Sequence, residues 1–142
     1  TEHGPKGGDE INKLTFNGNY GWPKASYGES YFDKRDYLKS HEKNGFEEPM
    51  YVFVPSIGIS EIIILPDSFH KKWQNTALVT SLGDKSIYRL KFKNYEFNEI
   101  LYVEKIFIDD QIRDIKYIEK NNSIILALKK NGTIGVLKTS SN

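Results

Sequence analysis

The stretch SIILALKKNGTIGVLK, residues 123–138, decides the class of fold. Two apolar runs rich in Ile, Leu and Val flank Lys130-Asn131-Gly132-Thr133. Asn-Gly accepts the positive φ angles of a type I′ turn at little cost, so the segment reads as a β-hairpin. Upstream lie further runs of the same kind: YVFVP (51–55), SEIIILP (60–66), TALVTSL (76–82), SIYRLKFK (86–93), EILYVEKIFI (99–108) and RDIKYI (113–118). β-branched and aromatic residues dominate them, as strands prefer. They recur roughly every ten residues with turn signals between, the spacing of an all-β sandwich, barrel or propeller. No helical pattern alternates with them, which argues against a parallel α/β sheet.

The flanking composition narrows the function. With 142 residues the chain is long enough for one domain with a real core. Lys+Arg number 20 against 19 Asp+Glu, and the basic residues are scattered, so neither nucleic acid nor an anionic membrane is expected as the main partner. The absence of cysteine excludes disulfides and thiolate metal sites. No apolar run approaches the ~18 residues of a membrane span, and residues 1–142 show no signal-peptide pattern of their own. The first residue is Thr, which leads us to expect a segment upstream.

Residues 1–23 are turn-rich and hold the most unusual chemistry: GPKGGDEIN (4–12) and NGNYGWP (17–23). Gly4 lets backbone approach a ligand, and Pro5 removes one amide donor, so carbonyls are exposed. Asp9 and Glu10 follow, and Tyr20 lies on a second turn. A hard cation such as Ca²⁺ takes oxygen donors of this kind, although the spacing is not that of an EF-hand. The plainer alternative is an ordinary turn with solvated carboxylates. Residues 24–49 are polar and weakly periodic, a long loop insertion with at most one helical turn near Phe32 to Ser40. It is read either as a floppy surface insert or as a functional excursion.

The remaining polar features are weaker. His3, His41 and His70 are widely spaced, which argues against a zinc or iron site built from them. Gln111 and Arg113 alternate and so share one face of an extended segment. The Arg113 guanidinium could clamp a carboxylate, or simply pair with Asp110 or Asp114. Ser56 and Ser60 lack a GxSxG elbow and a partnering base, so no nucleophile is assigned.

GPKGGDEIN…NGNYGWP, then EEPMYVFVPSIGISEI (47–62), WQNTALVTSL (73–82) and IRDI (112–115), in this order, resemble the soluble quinoprotein sugar dehydrogenases. These glucose/sorbosone and aldose dehydrogenases use pyrroloquinoline quinone (PQQ) and Ca²⁺. The resemblance spans nearly the whole chain. It implies an all-β fold, part of a six-bladed β-propeller, here about two and a half four-stranded antiparallel blades of its C-terminal portion.

The resemblance also implies site residues. Gly4 and Pro5 match the carbonyls that hold the cofactor Ca²⁺, while Glu10 and Tyr20 match the side-chain and carbonyl ligands of a second, structural Ca²⁺. Tyr51 matches an aromatic near sugar and cofactor, and Arg113 one of two arginines on the quinone carboxylates. Three positions depart from the family pattern. Gln111 replaces the other arginine, and Val54 an aromatic beside the sugar in some members. Gly83 stands where glucose-oxidising members carry a lysine, with Lys85 two residues on. The family's catalytic histidine matches no residue of this sequence. The implied function is oxidation of the C1 hydroxyl of an aldose by the intact protein, in the periplasm or secreted, with this chain alone inactive and prone to self-association through open blade edges. The alternatives are a non-catalytic propeller binding module and a Ca²⁺-stabilised β-domain without cofactor.

Overall fold

A computed structural model of the chain describes residues 1–33, 36–130 and 132–139. The chain divides into two compact units, Thr1–Ile59 and Ser60–Asn142. Apart from single 3-10 turns, the regular elements among the described residues are nine strands.

The first unit holds β1 (Asp9–Ile11) and β2 (Tyr51–Phe53), paired antiparallel with Asp9 opposite Phe53 and Ile11 opposite Tyr51. Strand β1 lies in the stretch that the sequence marked as turn. Its two carboxylates are not solvated: Asp9 is 1% exposed and Glu10 4%. A three-residue strand this polar carries no apolar alternation, so its pairing with β2 is what makes it a strand. Residues 24–49 form a long connection whose only regular element, among the described residues, is the 3-10 turn Glu42–Asn44. The helical turn expected near Phe32 to Ser40 is absent from the described residues there, and Lys34 and Arg35 lie outside them. The connection is anchored, not floppy. Lys6 and Glu29 exchange backbone hydrogen bonds, Ala25 bridges Leu38, and Ala25, Tyr37 and His41 are buried.

Gly8 and Gly28 show why the first unit needs its glycines. Gly8 sits at φ +78°, and a Cβ there would lie 2.5 Å from the Gly28 nitrogen. A Cβ on Gly28 would in turn lie 2.2 Å from the Gly7 carbonyl oxygen. Only bare backbone allows the two loops to touch.

The second unit is built from two antiparallel sheets. One has the order β3-β4-β5-β6, with β3 (Ile59–Ile64) beginning at the last residue of the first unit, then β4 (Thr76–Ser81), β5 (Ser86–Phe92) and β6 (Ile100–Phe107). The other has the order β7-β8-β9, from β7 (Ile112–Ile118), β8 (Ser123–Leu128) and β9 (Ile134–Lys138). Every expected strand is present, and β8–β9 is the expected hairpin. Gly132 takes φ +60°, whereas Asn131 of the expected type I′ turn lies outside the described residues.

Every residue of β4 is buried, as befits an interior strand covered on both faces. Leu65, Leu78, Ile87, Ile112, Ile124 and Leu126 form the core beside it. Leu78 is fully buried, so Leu78→Ala is expected to cost about 2–5 kcal/mol in urea unfolding, by lost transfer free energy plus the cavity left behind. On β5, Arg89 is 7% exposed yet paired: its Nε donates to Glu104 at 2.6 Å, and its guanidinium lies 5.1 Å from the Trp73 ring and 5.3 Å from that of Tyr102. The charge is neutralised by the carboxylate and its flat faces are covered by aromatic rings.

Candidate functional site

In the first unit the Gly4-Pro5 loop is organised by one buried carboxylate. Oδ1 of Asp9 accepts from the Gly4 N–H at 3.0 Å and lies 2.9 Å from Ser56 Oγ. Oδ2 accepts from the backbone N–H of Ile57 and of Ile59, each at 3.0 Å. Asp9 thus ties residues 4–9 to residues 56–59. The sequence left Asp9 open between a cation donor and a solvated turn carboxylate; its contacts show it as the loop's anchor. His3 approaches the same oxygen at 3.9 Å but is mostly exposed.

The Pro5 carbonyl oxygen faces two hydroxyls, Ser56 Oγ at 3.2 Å and Tyr31 OH at 3.4 Å. Ser56 has a single hydroxyl proton, shared between the Asp9 carboxylate and this carbonyl. Because the carboxylate is the stronger and nearer acceptor, the Pro5 oxygen retains a lone pair for a cation. That lone pair is of the kind a hard cation takes.

Glu10 lies on the other face of β1. Burial, reinforced by the nearby Glu2 carboxylate, pushes its pKa up to about 7. His41 Nε2 stands 3.6 Å from Glu10 Oε1, and burial pulls the His41 pKa below its ordinary value. The imidazole is 1% exposed, packs against the Tyr27 ring, and makes no hydrogen bond through either nitrogen. Glu48 accepts from Tyr27 OH and from the Glu42 N–H. The Tyr20 phenol closes its own loop, accepting from the Thr15 N–H at 2.8 Å and donating to the Lys13 carbonyl at 2.9 Å. The Glu10 carboxylate also takes a side-chain hydrogen bond from Asn12. No group of three His, Asp or Glu side chains suited to a metal ion occurs among the described residues. On β2, Tyr51 is half-buried with its ring edge-on to Phe53 at 4.9 Å, and Val54 beyond it is exposed.

In the second unit Gln111 and Lys85 line one cleft of about 400 Å³, together with Asp109, Asp110, Lys129 and Lys130. Lys85 pairs loosely with Asp109 at 3.8 Å. Arg113 lies exposed on β7 at an irregularity: Ile112 pairs with Leu128 but Asp114 with Ala127, so Arg113 has no opposite residue. Gln111 and Arg113 flank the buried Ile112, and the irregularity follows, with Arg113 and Asp114 both exposed between buried Ile112 and Ile115. The structural ion pair weighed for Arg113 does not form. Asp114 accepts from the Ile115 N–H and Asp110 from the Lys130 N–H, and Arg113 makes no ion pair among the described residues. Its guanidinium stays available to an anionic ligand. Ser60 donates to the Ile112 carbonyl at 2.7 Å and so ties β3 to β7.

Antiparallel sheets of up to four strands, with no long helix among the described residues, are the components of a β-propeller. A solved glucose dehydrogenase matches 99% of the chain with a TM-score of 0.83 at 25% identity, and the apo aldose sugar dehydrogenase of Escherichia coli matches 97% with a TM-score of 0.81 at 22% identity. The chain is a partial propeller. The Glucose / Sorbosone dehydrogenase family pattern matches residues 1–136, and the chain belongs to that family. It is 34% identical over 87 residues to aldose sugar dehydrogenase YliI of Escherichia coli, covering 61% of this chain and 24% of that protein. An uncharacterised protein of Synechocystis sp. is 29% identical over 134 residues, 94% of this chain and 32% of the relative. The chain thus spans a third or less of these curated relatives and 40% of each of the two solved chains. No helix among the described residues is long and apolar enough to cross a membrane.

Proposed function

We propose that the chain is part of a quinoprotein oxidoreductase of the periplasm or cell exterior that oxidises the C1 hydroxyl of aldose sugars with PQQ and Ca²⁺. The observation that carries this reading is the family match over residues 1–136. In that role the carbonyls of Gly4 and Pro5 would hold the cofactor Ca²⁺. Arg113, with Gln111 and Lys85, would face the quinone carboxylates, and Tyr51 would lie near the sugar. When bound, PQQ accepts a hydride and Ca²⁺ polarises it.

This chain's own residues supply position and charge. Asp9 fixes the loop that presents the Pro5 oxygen. Arg113 offers a planar fork of donors that neutralises a carboxylate without taking part in proton transfer. No residue here is assigned as the base that removes the sugar hydroxyl proton, so the chain alone is expected to reduce no redox dye when given PQQ, Ca²⁺ and an aldose. Dye reduction above the protein-free rate would overturn that expectation. Titration of PQQ into the chain separates the readings: Arg113→Ala is expected to weaken binding at least ~10-fold through loss of a charge-assisted pair. Stabilisation by Ca²⁺ with no PQQ binding would instead favour the domain without cofactor.

We also propose self-association. Strands β6 and β9 end their sheets and are bonded on one side only, with Leu101, Tyr102 and Phe107 exposed on β6 and Ile134 and Val136 on β9. Unpaired apolar edges recruit further strands, and a second copy of the chain offers the same edges. Light scattering on the eluting protein is expected to show a dimer or larger, and a monomer at high micromolar concentration would refute it.

A further inference from the structure

Three connections of the second unit meet at the cleft that Gln111 lines. They are the β4–β5 turn with Lys85, the β6–β7 connection with Asp109 to Gln111, and the start of the β8–β9 connection with Lys129 and Lys130. Backbone hydrogen bonds fix the meeting. The Lys129 N–H donates to the Gln111 carbonyl at 2.9 Å, and the Lys130 N–H to Asp110 Oδ1 at 2.9 Å. The Ile108 N–H donates to the Lys85 carbonyl at 3.0 Å. All three lysines are placed by their main chains, which leaves their ammonium groups to the cleft.

The charges there do not cancel. Asp110 is 8% exposed, and its carboxylate is committed to the Lys130 amide. Asp109 is offset by Lys85 at 3.8 Å. Asp84, beside Lys85 in sequence, pairs instead with Lys105 at 2.8 Å and accepts from Tyr88 OH. The side chains of Lys129 and Lys130 are exposed and make no ion pair or hydrogen bond among the described residues. The Gln111 amide is likewise unpartnered among them and offers N–H donors without charge. Adjacent like charges repel, and a concave wall concentrates their field on an anion that enters.

We infer that Lys129 and Lys130 bind carboxylates of a polyanionic ligand in this cleft and supply there the positive charge that Gln111 does not carry. The ligand class is a polycarboxylate; that it is PQQ rests on the quinoprotein reading. The two lysines act as point charges, without the planar fork of Arg113. Both are exposed, so their attraction is screened by salt.

The test is calorimetric titration of PQQ into the whole chain at low salt. The double variant Lys129→Gln and Lys130→Gln is expected to weaken binding about 10-fold, roughly 3-fold for each exposed charge. The loss should shrink in about 1 M salt. Arginine at both positions keeps the charge and should restore binding. Asp109→Asn, which suits the left-handed backbone at φ +64°, releases Lys85 and should tighten binding about 2-fold. Lys120→Gln, on the turn Glu119–Asn121 at the other end of β7 and β8, should change nothing. Urea unfolding checks that each variant is folded. PQQ binding indifferent to the double glutamine variant would overturn the inference and leave the quinoprotein reading intact. Should PQQ not bind, the same titration is run with trimesate, a redox-inactive aromatic polycarboxylate. Trimesate binding that falls in the double variant supports the inference and tells against PQQ as the ligand. Trimesate binding indifferent to the two lysines, or no binding of either compound, would overturn it.

Discussion

Asp9→Ala is expected to destabilise the first unit by about 4 kcal/mol, from the stranding of three backbone donors at ~1–3 kcal/mol each with some relaxation. The wild-type carboxylate is 1% exposed and accepts from the N–H groups of Gly4, Ile57 and Ile59 as well as lying beside Ser56 Oγ. Alanine leaves those donors without a partner in a space closed to water. Asp9→Asn is expected to be almost as damaging, because its NH₂ group would confront donors already aimed at an oxygen. Urea unfolding gives the magnitude, and hydrogen exchange at the Gly4, Ile57 and Ile59 amides gives the location. A loss below ~1 kcal/mol would mean that the loop holds without its carboxylate.

Glu10→Gln is expected to stabilise the metal-free chain increasingly as pH rises. Burial and the Glu2 charge hold the folded Glu10 pKa at about 7, above its ordinary 4.5. Between these values the folded state binds more protons than the unfolded one, so stability falls with rising pH and the full cost is present above about pH 7. That cost is on the order of 3 kcal/mol, set by the size of the shift. His41 contributes the opposite slope: its depressed pKa makes the folded state resist protonation, so its stability is lost as pH falls below the ordinary histidine value. Since wild type and Glu10→Gln share His41, the difference between their urea-unfolding curves in chelator, measured from pH 4.5 to 8, isolates the carboxylate. The variant should match wild type at the acid end and exceed it at the alkaline end. A pH-independent difference would show that Glu10 is not held protonated.

The two variants separate the opposite faces of one short strand. Asp9 and Glu10 are sequence neighbours with the same chemistry, yet β1 points one into a ring of amide donors and the other at a buried imidazole. Donors stabilise the charged form of the first, whereas burial penalises the charged form of the second.

From the sequence alone came the positions of the strands of the second unit. Runs such as TALVTSL and SIYRLKFK carry their own β-propensity and turn punctuation, and the structure forms β4 and β5 within them. The motif order also implied the family, because short glycine-rich and aromatic motifs keep their identity without knowledge of their contacts. Three things were not legible. Strand β1 exists through its partner β2, since three polar residues have no period to read. The bulge at Arg113 is set by how β7 pairs with β8, and it frees a guanidinium that sequence proximity would have given to Asp110 or Asp114. The meeting of His41 with Glu10, 31 positions away, depends on how the 24–49 connection is tied back to residues 1–12. Local pattern determines which segments become strands, because propensity and turn geometry act over a few residues. Which polar group faces which is decided by long-range packing, because burial and pairing are properties of the folded chain and not of any one segment.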